Sequence, residues 1–186
     1  MGKLTYGMMM SLDGYLADAS SYFEEEVLAF INDESRKLGT EIYGRRMYEE
    51  MVYWETYEEQ KDGSSERADE FARIWKGYDK LVISSTLERV SSGNTQLVRE
   101  FRPEEIRQLK AASTKDISVA GPTLAAHAIK AGLVDEYALY SVPVVLGAGN
   151  PVFKDLAARL DLDLMEERRF PSGMIFLRYV PRDKGR

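Results

Sequence analysis

Three short apolar runs, at residues 81–84, 117–120 and 138–146, contain β-branched residues and are bounded by polar or glycine-containing segments. Runs this short and this largely apolar mark strands buried on both faces, which places them at the centre of a parallel sheet. Between and before them, apolar residues recur at helix-compatible spacing. Val27, Leu28, Ile31 and Leu38 form one such set, Phe71, Ile74 and Trp75 a second, and Leu124, Ala125, Ala128 and Ile129 a third. Strands that alternate with helices predict an α/β domain, a three-layer arrangement with a mostly parallel central sheet, right-handed crossovers and helices on both faces. The C-terminal stretch departs from this rhythm. Residues 160–170, a Pro171-Ser172-Gly173 turn and residues 174–180 predict an antiparallel hairpin at one sheet edge. Residues 55–66 and 91–94 read as surface loops, and 182–186 as a frayed tail.

With 186 residues, 44% of them hydrophobic, the chain can bury one substantial core, and residues 1–186 are read as a single domain. Its apolar runs fall short of the roughly 20 residues that a membrane helix needs, and no charged start with an apolar core precedes the first strand. A cytoplasmic protein that engages no membrane is therefore expected. The chain has no cysteine and a single histidine, His127. That composition removes disulfide scaffolds, thiolate metal sites and Ser/His triads together, and no metal is expected. A formal charge of -6, with only the pairs Arg45-Arg46 and Arg168-Arg169 as basic clusters, argues against nucleic acid as a partner.

Three segments have the chemistry of phosphate sites. In Glu41-Ile-Tyr-Gly-Arg-Arg-Met-Tyr-Glu49 a strand ends at Gly44 and a helix starts at Arg45. Glycine lets a ligand approach the backbone, the helix start offers N–H groups, and Arg45 and Arg46 add cationic forks. An ordinary strand-to-helix turn with solvated arginines is the competing reading. In Val82-Ile-Ser-Ser-Thr86 a buried strand emerges into the hydroxyls of Ser84, Ser85 and Thr86, which suit a phosphate or a ribose and equally suit capping of the next turn. In Ile117-Ser-Val-Ala-Gly-Pro-Thr-Leu124 a strand ends at Ala120-Gly121, and Pro122 and Thr123 open a helix that includes Leu124. This segment is neither a G-x-G-x-x-G fingerprint nor a Walker loop. All three lie at predicted strand C-termini, where α/β sheets collect their ligands, so together they suggest a dinucleotide across that edge.

These segments, with Met10-Ser-Leu-Asp-Gly-Tyr-Leu-Ala17, Ala131-Gly-Leu-Val-Asp-Glu136 and Pro143-Val-Val-Leu-Gly-Ala-Gly-Asn-Pro-Val-Phe153, resemble the riboflavin-pathway reductase domain. That domain is the C-terminal half of the bacterial bifunctional deaminase-reductase and has the dihydrofolate-reductase-like fold. The resemblance runs in order along nearly the whole chain. It implies NADPH as cofactor, with Arg45 and Arg46 meeting the 2′-phosphate beside Ser84 and Ser85, and Gly121, Pro122, Thr123 and Leu124 cradling the pyrophosphate. It also implies a homodimer, for which the strand at residues 137–145 and the C-terminal hairpin offer an edge or face. Met47 stands where the family has threonine, and Ala120 where it has the first of two glycines. The deaminase half, which needs a zinc ligand set, has no counterpart in this cysteine-free chain.

Hydride chemistry belongs to the nicotinamide, so few catalytic side chains are required. The candidate at the substrate end is Asp13, in a Ser-Leu-Asp-Gly turn after the first strand, able to bond a heterocycle or deliver a proton if burial raises its pKa. Asp-Gly is also an ordinary turn pair. Met8, Met9 and Met10 read as core filling or pocket lining, Tyr48, Tyr53 and Trp54 as an aromatic patch, and His127 as structural. The resulting expectation is an NADPH-dependent oxidoreductase acting on a small heterocyclic or conjugated substrate. The riboflavin-pathway enzyme itself, 5-amino-6-(5-phosphoribosylamino)uracil reductase, and a non-catalytic dinucleotide-binding module are the alternatives.

Overall fold

The computed structural model describes residues 1–57, 65–156 and 158–182. Part of the predicted 55–66 loop and most of the predicted tail, residues 183–186, lie outside the described residues. Eight strands form one sheet: β1 (Leu4–Met10), β2 (Leu38–Gly44), β3 (Asp79–Ile83), β4 (Thr95–Val98), β5 (Asp116–Ala120), β6 (Glu136–Ser141), β7 (Leu162–Arg169) and β8 (Ile175–Pro181). Their order is β4-β3-β2-β5-β1-β6-β8-β7. The first six are mutually parallel, β8 adds antiparallel to β6, and β7 adds antiparallel to β8. The predicted α/β architecture, with its C-terminal hairpin, is the one observed.

The helices are α1 (Glu25–Ser35), α2 (Arg45–Met51), α3 (Glu66–Lys76), α4 (Pro103–Ala112) and α5 (Pro122–Lys130). Local chemistry starts them. Glu25 and Glu26 sit in the first turn of α1, where the helix dipole favours acidic groups. The Ser65 hydroxyl accepts the Ala68 N–H, and proline opens both α4 and α5. Helices α4 and α5 cover one sheet face, burying Leu4, Tyr6, Ile42, Ile117 and Val119 against Ile106, Leu124, Ala125 and Ala128. Helices α1 and α3 cover the other. There Phe30 packs edge-on to Tyr140, Phe170 and Phe176, contacts worth about 0.5–1.5 kcal/mol each beyond area burial.

Three sequence expectations are corrected. Leu38 is the first residue of β2, not part of the helix of Val27, Leu28 and Ile31, because α1 ends at Ser35 and the Arg36 N–H bonds back to Asn32. The run at 138–146 is a strand only to Ser141. Pro143 has no N–H to donate to a ladder, and the Val144 N–H folds back onto the Val142 carbonyl. Finally, β6 lies inside the sheet between β1 and β8, so of the two surfaces predicted for self-association only the hairpin strand β7 is a free edge. Strand β4 and helix α4 were not foreseen at all.

The α1/α3 face carries an unusual row. Lys80, Glu41, Ser118, Thr5 and Glu136 are aligned in register across five adjacent strands. The Lys80 ammonium donates to the Tyr78 and Gly93 carbonyls and lies 4.4 Å from the Trp75 ring centroid. Arg178 bridges Glu34 at 2.7 Å, Glu136 at 3.1 Å and Glu166 at 2.9 Å, and Lys3 also pairs with Glu136. Burial pushes the Glu41 carboxyl up to about 8, against the opposing pull of Lys80. Because the folded-state value is raised, this group's contribution to stability is fully present below about pH 4.5 and is lost as pH rises through about 8. The unfolding free energy is therefore expected to fall across that window, by at most about 1.4 kcal/mol per pH unit for one proton, and Glu41→Gln is expected to flatten the slope. An equal slope in the variant would remove Glu41 as its source.

Candidate functional site

Strand pairing assembles the site. Gly44 is in register with Ile83, and Tyr43 with Ala120, so β3, β2 and β5 end side by side. Their continuations put Gly44-Arg45, Ser84-Ser85-Thr86 and Gly121-Pro122 on one edge of the sheet, as the sequence predicted. The three segments meet there in detail.

Arg45 is exposed at the first position of α2, where the dipole disfavours a cation. Two contacts fix it: its Nε donates to Glu49 Oε1 at 2.7 Å, one helical turn on, and its Nη1 reaches Thr86 Oγ1 at 3.3 Å. The guanidinium is thereby aimed across the β3 turn. Arg46, next to it, is also exposed. Ser84 is buried and its Oγ accepts the N–H groups of Thr86 and Leu87, so it shapes the turn and leaves Ser85 and Thr86 exposed. Arg99 completes this turn by donating to the Ser84 and Leu87 carbonyls. Sequence reading missed Arg99, since it lies beyond the unforeseen β4 and no local pattern connects it to Ser84.

The β5 turn supplies backbone donors. Gly121 has φ +94°, which a side chain would strain, and a Cβ there would approach Met47 Cβ at 3.8 Å. Its N–H points at Met8 Sδ, 3.4 Å away, a second contact that the sequence did not reveal. Pro122 has no N–H, and the Ala125 N–H is the first to bond within the helix, to the Gly121 carbonyl. The amides of Thr123 and Leu124 are thus the donors without an intrahelical acceptor. A Cβ on Gly44 would meet nothing nearer than Leu124 Cβ at 4.0 Å, so the two turns lie against each other with open backbone between them. Met47 and Ala120, the two positions that differ from the family pattern, pack with the apolar cluster of Tyr43, Tyr48 and Val82.

Asp13 stands at the end of β1 in another role. Its Oδ1 accepts the Leu146 N–H at 3.1 Å and its Oδ2 the Gly147 N–H at 2.7 Å. The Leu12 N–H bonds to Val144 and the Leu16 N–H to Asn150, so the turn after β1 and the loop after β6 are zipped together, with the Asp13 carboxylate as the clamp. The Ser11 hydroxyl, followed by these loop amides, holds the carboxyl below its ordinary value, and the residue is exposed. The raised pKa that proton delivery required is therefore absent, because hydrogen bonds favour the charged form and little burial opposes them.

The remaining candidates are separated by the fold. Met8 and Met10 face the α4/α5 core while Met9 faces the α1 side. Tyr53 and Trp54 cluster with Tyr57 and Phe71, whereas Tyr48 turns away, its hydroxyl accepting the Ser91 and Ser92 N–H groups. His127 is exposed and stacked on Phe101. Among the described residues no group of three or more His, Asp or Glu side chains could hold a metal, and no helix is long and apolar enough to cross a membrane.

The RibD C-terminal domain family matches residues 2–176. The chain is 27% identical over 184 residues to the uncharacterized protein YyaP of Bacillus subtilis, covering 95% of this chain and 94% of that one. In structure it is similar to a putative riboflavin biosynthesis protein from Shewanella, with a TM-score of 0.70, 18% identity, and 97% and 99% of the two chains covered. It is also similar to dihydrofolate reductase from Enterococcus faecalis complexed with NADP(H), with a TM-score of 0.63, 12% identity and 98% of each chain covered. The fold is the dihydrofolate-reductase-like one, and the chain belongs to the RibD C-terminal domain family.

Proposed function

We propose that this protein is an NADPH-dependent reductase that transfers hydride to a small heterocyclic or conjugated substrate. The observation that carries the reading is the convergence of three turns on one sheet edge, with the Arg45 guanidinium held across the hydroxyl turn 3.3 Å from Thr86. Family membership supports the reductase class. The residues present fit a dinucleotide. Arg45 and Arg46, with Ser84, Ser85 and Thr86, form the cationic and hydroxylic pocket that an adenosine 2′-phosphate requires. Thr123 and Leu124 offer amides to the pyrophosphate, and Gly44, Ala120, Gly121 and Pro122 keep the backbone accessible to it. The bound nicotinamide supplies the hydride. Asp13 acts as a positioning residue by clamping the two loops at the end of β1.

The narrower reading, 5-amino-6-(5-phosphoribosylamino)uracil reductase, requires a second cationic site for the substrate's phosphate. Lys37 pairs with Glu34 just beyond the end of α1, and Arg73 and Lys76 lie on α3, so these three basic residues do not gather at the edge. The broader reductase is therefore preferred. Turnover of NADPH against a panel of pyrimidines and conjugated carbonyls separates it from a binding module, which would hold the cofactor without consuming it.

Two outcomes follow. Calorimetry is expected to show NADPH bound more tightly than NADH, and Arg45→Ala to weaken NADPH binding about tenfold or more, roughly 1.4 kcal/mol, with little change for NADH. Equal affinities, or an unaffected variant, would exclude Arg45 as the phosphate contact. Asp13→Ala is expected to raise hydrogen exchange at the Leu146 and Gly147 amides several-fold at neutral pH. Lowering pH through the acidic range should reduce the protection factors of these two amides in the wild type, with the slower intrinsic exchange in acid divided out, since a depressed carboxyl pKa means the clamp is present above its ordinary value and lost as pH falls. Unchanged exchange would show that the loops are held without the carboxylate.

A further inference from the structure

Helix α2 carries Arg45 at its start, and Tyr48, one turn on, is seated in the segment between β3 and β4. Ties join the two stretches in the same order along both: Arg45 to Thr86, Tyr48 to Ser91 and Ser92, and Glu55, beyond α2, to the Gly93 N–H. The first and last are exposed, whereas Tyr48 is only 3% exposed and packs with Tyr43 and Val82. Its hydroxyl oxygen lies 2.8 Å from the Ser91 nitrogen, 3.1 Å from the Ser92 nitrogen and 3.0 Å from Ser92 Oγ. Counting protons fixes the direction of every bond. Thr95 donates its one hydroxyl proton to the Gly93 carbonyl, so it accepts from Ser92 Oγ at 2.7 Å. Ser92 then has no proton left for Tyr48, so the phenol donates to Ser92 and accepts both amides. The Gly93 carbonyl at the end of this chain also accepts from the Lys80 ammonium of β3. Tyrosine alone pairs a ring that fills the apolar cluster with a terminal hydroxyl able to donate once and accept twice.

We propose that Tyr48 is the positioning residue for Arg45: by seating α2 on the 91–95 segment it keeps the guanidinium across the turn that bears Thr86, and so sets the preference for a cofactor with a 2′-phosphate. The cofactor part rests on the reductase reading. Arg45 and Tyr48 are three positions apart, neighbours on one helical surface, so the placement of the Tyr48 tip determines where Arg45 stands relative to β3. The other contacts of Arg45 cannot do this. Glu49 lies on the same helix and moves with it, and the bond to Thr86 is 3.3 Å long and exposed, so it follows the placement of the helix. Loss of the phenol oxygen leaves the Ser91 and Ser92 amides and the Ser92 hydroxyl without their partner, and the segment must move off the helix for water to replace it. The amides offered to the pyrophosphate belong to α5, outside this seat. A dinucleotide without the 2′-phosphate is therefore indifferent to the movement.

Calorimetry with NADPH and NADH on the wild type, Tyr48→Phe, Arg45→Ala and the double variant tests the assignment. Tyr48→Phe is expected to weaken NADPH about fivefold, to leave NADH within about twofold, and to cause no further loss in the Arg45→Ala background. A loss shared equally by both cofactors, an unchanged NADPH affinity, or a loss that adds to that of Arg45→Ala would overturn the proposal. Should Tyr48→Phe fail to fold, Ser92→Ala, which removes the acceptor of the phenol proton, is expected to shift the ratio of the two affinities in the same direction, and an unchanged ratio counts against the seat. A measurement without cofactor keeps the two readings apart. The change that Arg45→Ala causes in the Thr86 methyl chemical shift is expected to fall by roughly half or more in the Tyr48→Phe background. A wild type that binds neither cofactor but shows this coupling loses the reductase reading and keeps Tyr48 as the anchor of Arg45, whereas equal shift changes in both backgrounds remove Tyr48 from that role.

Discussion

The pairing of β2 between β3 and β5 is the constraint on which the rest of the structure depends. In a parallel sheet, strands that are adjacent and in register end together, and whatever follows each strand must share that edge. The registers Gly44 to Ile83 and Tyr43 to Ala120 therefore bring a glycine-arginine turn, a hydroxyl turn and a glycine-proline turn together from positions about 40 residues apart in the chain. A slip of one residue would turn Tyr43 and Ile42 to the wrong faces and pull Gly44 out of line with Gly121. The apolar residues that bury the sheet thus also fix the spacing of its polar edge.

The two sheet faces use this frame differently. Against α4 and α5 the strands present large apolar side chains and close completely. Against α1 and α3 they present Tyr43, Tyr140 and Phe176 beside small and polar residues, and this side holds the Glu41 row and the Arg178 network. Burying these charges costs desolvation, offset for Arg178 by three carboxylates and for Lys80 by two carbonyls and the Trp75 ring. Glu41 lacks such compensation. Desolvation at that position disfavours the charged form, which raises the carboxyl pKa.

What could be read from the sequence was what is encoded locally. Continuous apolar runs at 81–84 and 117–120 specify central strands, and Gly44 and Gly121 mark where strands turn into helices. Position 38 misled, because Leu38 continues the helical spacing of Ile31 although the chain has already turned into β2. The run at 138–146 misled because its hydrophobicity continues beyond Pro143, where backbone pairing cannot. Arg99 and the Met8 contact to Gly121 were not legible, since each depends on strand order and neither has a neighbour in sequence that marks it. Asp13 was found by its turn, but its role was not: the partners that lower its pKa include loop amides more than 130 residues away.

The central claim, that the carboxyl edge of β3, β2 and β5 is a dinucleotide site, is tested most directly by mapping backbone amide chemical shifts as NADP⁺ is titrated into the labelled protein. The account predicts that the largest changes fall in three separate sequence blocks, 44–47, 84–87 and 121–124, and saturate together. Changes confined to one block, or centred on the opposite end of the sheet near Lys37 and Asp116, would contradict it.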